Sequence, residues 1–214
     1  MFSRLPQRYL AKDEELISTL VEVAKEFESR AHLWCLVILA NLTRLPSNAS
    51  LMVPRNESFI PTLTLAISRE DAETRRYATF AIQNLSMDAA VRNDIADNCA
   101  LLKGLCKTVL RGEASAQNGE SLAAIATLKN LVDDPSNIFK LLSSPVFLKN
   151  LTVIALRAEA FVTSEMQFMA CDALATFSHW LNKVSSTPLL KDEKYSNTEL
   201  PTHQKVGWAQ WEEE

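Results

Sequence analysis

Glycine is scarce, with four in 214 residues. Two-residue hairpin turns need positive φ, which glycine supplies, so the scarcity argues against a fold built on tight β-hairpins. Cysteine is equally sparse, and Cys35, Cys99, Cys106 and Cys171 form no CxxC pair. They read as small buried apolar residues in a reducing compartment rather than as disulfides or zinc ligands. No run of 18 apolar residues occurs, so no membrane-spanning helix is expected. Residues 1–8 lack the apolar stretch of a secretory signal, and the expected location is the cytoplasm and/or the nucleus. Basic residues number 22 against 26 acids, a net charge of −4, whereas nucleic-acid-binding domains run basic. The three histidines, His32, His179 and His203, stand far apart, and no HExxH, GxSxG or phosphate-binding glycine loop occurs. An enzyme, a metal site, a cofactor and a small-molecule substrate are therefore not expected.

What is present is apolar. Hydrophobic residues make up 47% and charged residues 22%, the balance of a chain that buries a core. The charge is local: residues 185–214 carry six acids and three lysines, leaving the rest close to neutral. A long-range field favouring a polyanion or a polycation is not expected from such a body.

One line of sequence recurs. Cys35–Thr43, Ala78–Ser86, Ala124–Val132 and Ala170–Ser178 place Asn41, Asn84, Asn130 and Thr176 at equivalent positions, 43, 46 and 46 residues apart. Within each copy the small and apolar residues fall at i, i+3, i+4 and i+7, one stripe of an α-helix. A second line, two bulky apolar residues with a leucine three later, repeats in step and ends at Leu20, Leu63, Leu105 and Leu151. Extra residues of the later units fall between these two helices, as in the expected loop 111–121. A weaker third helix precedes them around Leu51-Met52, Val91–Ala96 and Asn137–Leu142. Prolines punctuate the pattern: Pro46 and Pro135 follow two of the recurring helices, and Pro61 and Pro145 sit near the starts of others. Asp71 and Ser164 are placed to cap the asparagine-bearing helices of units two and four. Three helices in about 43–46 residues is the period of the armadillo and HEAT classes.

The chain resembles armadillo repeats. Ala78–Ser86, then Val91-Arg92-Asn93-Asp94-Ile95 and Leu101–Leu105, are close to that family's Asn-Leu-Ser, Asn-Arg and Leu-Leu signatures. The resemblance covers residues 13–184 and implies an all-α, right-handed solenoid of about four repeats, in units of about 13–45, 46–88, 89–134 and 135–184. Residues 1–12 form an N-terminal segment and 185–214 a flexible acidic tail. The resemblance further implies a protein-binding scaffold that holds an extended peptide in a concave groove, the ladder asparagines Asn41, Asn84 and Asn130 gripping its backbone. An amide suits that task, because it offers both a donor and an acceptor to a peptide unit.

Positions four, seven and eleven before each ladder residue lie on its side of the apolar stripe. The aromatics among them, Trp34, Tyr77 and Phe80, concentrate in units one and two. Their two readings are groove anchors and packing between helices. Arg30 and Arg76 are the basic candidates beside them, diluted by Glu73 and Glu165. Two alternatives stand beside the scaffold: an adaptor subunit that packs through its edge, and a helical-repeat nucleic-acid binder or enzyme. In the tail, Trp208 and Trp211 share a helical spacing and form a candidate linear motif for a second partner. Five Asn-x-Ser/Thr sequons, at Asn41, Asn48, Asn56, Asn84 and Asn150, are discounted, those at Asn41 and Asn84 because the helix motif itself generates them.

Overall fold

The computed structural model describes residues 4–117, 119–157 and 159–185. All regular structure among them is helical, with no strand. Residues 186–214, which hold most of the expected tail together with Trp208 and Trp211, lie outside the described residues. The chain divides into two compact units, Met1–Ser178 and His179–Glu214.

The first unit opens with α1 (Arg4–Leu10), followed by α2 (Glu14–Ala24) and α3 (Ala31–Thr43). Next come α4 (Pro46–Met52), α5 (Phe59–Ile67) and α6 (Ala72–Ser86), then α7 (Ala89–Asp97), α8 (Cys99–Val109), α9 (Glu113–Gln117) and α10 (Glu120–Val132). A 3₁₀ turn at Pro135–Asn137 leads into α11 (Ile138–Leu142), α12 (Pro145–Ala155) and α13 (Ser164–Ser185). The segment 111–121, read from the sequence as a loop, thus carries the short helix α9.

The helix boundaries follow from local chemistry. Asp13, Asp71, Asp88 and Asn98 are extended N-cap residues whose side chains accept the amides of Leu16, Thr74, Ala90 and Leu101, satisfying donors that the first turn leaves orphaned. At α13 the amide of Met166 donates to Thr163 Oγ1 at 3.2 Å, so the cap is Thr163 and not Ser164, which is the first helical residue. Pro46 and Pro145 open α4 and α12, where a missing N–H costs little.

Helices of like position pack on one another, forming three columns. α3, α6 and α10 make one, α2, α5, α8 and α12 a second, and α4, α7 and the 3₁₀–α11 segment a third. The apolar stripes of the sequence lie between them: Leu36, Leu39, Leu63, Ile82, Leu85, Leu101, Leu105, Ile125 and Phe147 are fully buried. Polar ties recur at the repeat period. Asn48 Nδ2 donates to Leu42 O at 2.8 Å, Arg92 Nε to Ser86 O at 2.8 Å and Asn137 Nδ2 to Leu131 O at 3.3 Å, each six residues back in sequence. A residue on the following short helix or turn therefore takes a carbonyl that the end of an asparagine-bearing helix leaves free. Between α6 and α10 lies a buried ion pair, Arg75 Nε to Glu120 Oε1 at 3.2 Å, with side chains 8% and 0% exposed. Arg75 also donates to the carbonyls of Arg69 and Glu70, fixing the turn before α6.

Of the second unit, residues 179–185 are described, and they are the end of α13. There His179 stands edge-on to Trp180, with centroids 5.4 Å apart, and Lys183 Nζ lies 4.9 Å from the Trp180 ring.

Candidate functional site

The α3–α6 face holds an open cleft of about 260 Å³. Asn41, Arg44, Tyr77, Phe80, Gln83 and Asn84 line it over a floor of Val37 and Ala40. Helical periodicity places these residues together: Asn41 and Arg44 stand one turn apart on α3, and Tyr77, Phe80 and Asn84 rise on one side of α6. Its volume falls below the roughly 300–1,000 Å³ of sites that enclose a whole drug-sized ligand.

The walls are aromatic. Tyr77 and Phe80, both half-buried, meet edge to face with centroids 6.5 Å apart. The Arg76 guanidinium lies against both rings, 5.4 Å from the Tyr77 centroid and 5.5 Å from that of Phe80, within cation–π range. Phe80 also abuts Gly119, the left-handed residue (φ 80°) that starts α10; a side chain there would meet the Phe80 ring at 3.7 Å. Trp34, about two turns before Asn41 on α3, is 67% exposed and does not pack between helices.

The three ladder asparagines have different surroundings. Asn41 is exposed and makes no side-chain hydrogen bond among the described residues. Asn84 Nδ2 donates to Ala40 O at 3.0 Å and to Thr43 Oγ1 at 3.3 Å. Asn130 Nδ2 donates to Ser86 Oγ at 2.9 Å. In these two repeats the amide nitrogen ties one asparagine-bearing helix to its predecessor, and the Asn84 side-chain oxygen, at a residue lining the cleft, has no hydrogen-bond partner among the described residues. Asn41, the first of the three, has no such predecessor, which leaves its whole amide open.

The face changes character in the later units. Lys129 Nζ contacts Asp133 Oδ2 at 2.9 Å and Asp172 Oδ2 at 3.3 Å. The hydrogen bond to Asp133, then the charges of both carboxylates, raise the Lys129 pKa above its ordinary value. Ala123 and Ala126, at the positions of Tyr77 and Phe80, are buried. The aromatic cleft is thus confined to α3 and α6, and the charges farther along neutralise one another.

Sequence reasoning placed Asn41, Asn84, Tyr77 and Phe80 on one face, and they share the cleft. It missed Arg44 and Gln83, which follow from extending the same wheel one turn past Asn41 and one residue before Asn84. Asn130 and Trp34 are not among the cleft's lining residues.

No family model, curated protein or solved structure matches the chain.

Elsewhere, no group of three or more His, Cys, Asp or Glu side chains converges among the described residues. Cys106 is fully buried, and burial pushes its thiol up to about 12, whereas Cys99 and Cys171 are exposed. Two sequon asparagines, Asn48 and Asn150, are buried, the latter donating to Cys106 O at 2.8 Å. No single helix among the described residues is long and apolar enough to cross a membrane.

Proposed function

We propose that residues 13–184 form a right-handed armadillo-type solenoid that acts as a protein-binding scaffold, with the α3–α6 cleft holding an extended peptide. The observation that carries this reading is the convergence of open amide groups and half-buried aromatic rings on one shallow cleft. Asn41 offers a donor and an acceptor, and Asn84 an acceptor, for a peptide backbone. Tyr77, Phe80 and the exposed Trp34 supply the rigid apolar surface on which interface anchors form. The three columns of like helices and the carbonyl ties at the repeat period support the solenoid. The reading assigns no catalysis and no cofactor, and places the protein in the cytoplasm or nucleus.

The test is selection of a displayed random dodecapeptide library on the intact protein, followed by affinity measurement of a labelled winner. Asn41→Ala, at an exposed residue with no internal partner, is expected to weaken binding by about 1–3 kcal/mol while leaving the melting temperature unchanged. Trp34→Ala is expected to act in the same direction. Peptides that bind both variants as tightly as the parent would contradict the groove reading.

A second reading has its own observation. Phe139, Leu156 and Phe168, all in unit four, are 61%, 74% and 70% exposed. Large exposed apolar side chains mark surfaces that associate, which favours an adaptor packing through this repeat. Loss of partner binding on Leu156→Glu with Asn41→Ala silent would select it.

A further inference from the structure

The lining of the α3–α6 cleft contains no carboxylate, and its charged member is Arg44. Arg44 is exposed and forms no ion pair among the described residues. Behind the aromatic wall stands a second cation, Arg76, whose Nε is buried and has no hydrogen-bond partner. Arg76 likewise forms no ion pair among the described residues, although Glu73 lies three residues before it on the same helix. The positions equivalent to Arg76 in the other units are Leu33, Leu122 and Phe168, all apolar. Those equivalent to Arg44 in units two and three are Met87 and Asp133. Unit three instead pairs its charges, Lys129 with Asp133 and Asp172. Arg44 therefore lines the aromatic cleft without a carboxylate partner and Arg76 stands behind its wall, where the repeat pattern by itself places neither.

A guanidinium is weakly hydrated, offers several donors in a fixed plane and matches a carboxylate fork. Held against Tyr77 and Phe80, the Arg76 guanidinium adds positive charge behind the wall without lining the cleft. We propose that the peptide held in this cleft is acidic, with an Asp or Glu side chain seated against Arg44 and an apolar neighbour on the Tyr77–Phe80 wall. This inference rests on the peptide-binding reading and specifies its ligand. A peptide is favoured over other anions because the cleft pairs its cation with backbone-matching amides and an apolar wall, while the body as a whole is close to neutral.

The probe is the peptide selected from the dodecapeptide library, labelled for fluorescence anisotropy. Winners are expected to be enriched in Asp or Glu beside an apolar residue. The counterpart in which Asn and Gln replace those acids is expected to bind about tenfold more weakly, as is the original peptide against Arg44→Gln. Arg44→Glu, a change at an exposed residue that folding tolerates, is expected to invert the preference, so that the counterpart carrying lysine binds better than the acidic peptide. Raising salt from 0.05 to 0.5 M is expected to weaken the acidic peptide more than its neutral counterpart. Winners without acidic enrichment, or equal binding of the acidic and neutral peptides, would overturn this inference while leaving the groove reading intact. Displacement of the acidic peptide by an equimolar single-stranded oligonucleotide would also overturn it, assigning Arg44 to phosphate. Failure to select any peptide that responds to Asn41→Ala would instead remove the groove reading, and this inference with it.

Discussion

At the scale of single residues, the buried pair Arg75–Glu120 shows how much a single position can hold. Arg75 reaches Glu120 on α10 and two carbonyls of the turn before α6, so removing it uncovers a buried carboxylate and releases that turn. Arg75→Met is expected to cost about 3–5 kcal/mol in chemical denaturation, and the double change Arg75→Met with Glu120→Leu is expected to recover most of it. A loss under 1 kcal/mol would mean that the pair is more hydrated than its burial indicates. Neither residue was legible in the sequence, because an arginine beside a surface-type Arg76 and a glutamate at a helix start carry no sign of burial. The cysteines were more readable, though not uniformly. Cys106 is buried and its thiol raised, while Cys99 and Cys171 are exposed and Cys35 is intermediate, its thiol raised by burial. With a thiol reagent at neutral pH, two cysteines are expected to react rapidly and Cys106 only on unfolding, since the thiolate is the reactive form. Rapid labelling of Cys106 in the native protein would contradict the packing of α8.

Helices and their ends were the best-read features, for a physical reason. The i, i+3, i+4, i+7 stripes record burial directly, and capping residues declare where a helix starts. The reading of Ser164 failed by one position because Thr163 and Ser164 are both competent caps, and the choice depends on where the chain from α12 enters. The cap of α6 is the sharpest test. Asp71 accepts from the Thr74 amide at 2.7 Å, and the hydrogen bonds from Thr74 hold its carboxyl below the ordinary value. A carboxylate depressed in the folded state stabilises above the unfolded pKa near 3.9 and loses that contribution as pH falls through the folded value. Asp71→Ala is therefore expected to cost about 1 kcal/mol at pH 7, with the difference from the parent shrinking below about pH 4. Thermal melts of the two proteins across pH 3–7 check both statements; a pH-independent difference would mean that the cap acts through its shape rather than its charge.

For the molecule as a whole, two registers in step exposed the repeat, and the columns of like helices agree with it. What the sequence did not show is the division of labour among the ladder asparagines. Asn41, Asn84 and Asn130 are the same residue at the same repeat position, yet the latter two have a preceding helix end to hold and the first does not. That difference comes from stacking order, which no single repeat contains. The placement of the aromatic cleft at α3–α6 was legible from composition along the ladder, and so was Arg76 as a basic residue beside it, whereas Arg44 lies past the recurring line and its lack of a carboxylate partner depends on how α3 and α6 pack. The central claim is that a peptide binds in this cleft through Asn41 and Asn84 and runs on along α3 over the exposed Trp34. Titration of the ¹⁵N-labelled protein with the selected dodecapeptide, following side-chain amide and indole signals, tests it most directly. The account predicts that the Asn41 and Asn84 amide pairs and the Trp34 indole shift together and saturate with one peptide, while the Asn137 and Asn150 amides stay fixed. Saturating shifts on α11 and α12 with Asn41, Asn84 and Trp34 unmoved would contradict it.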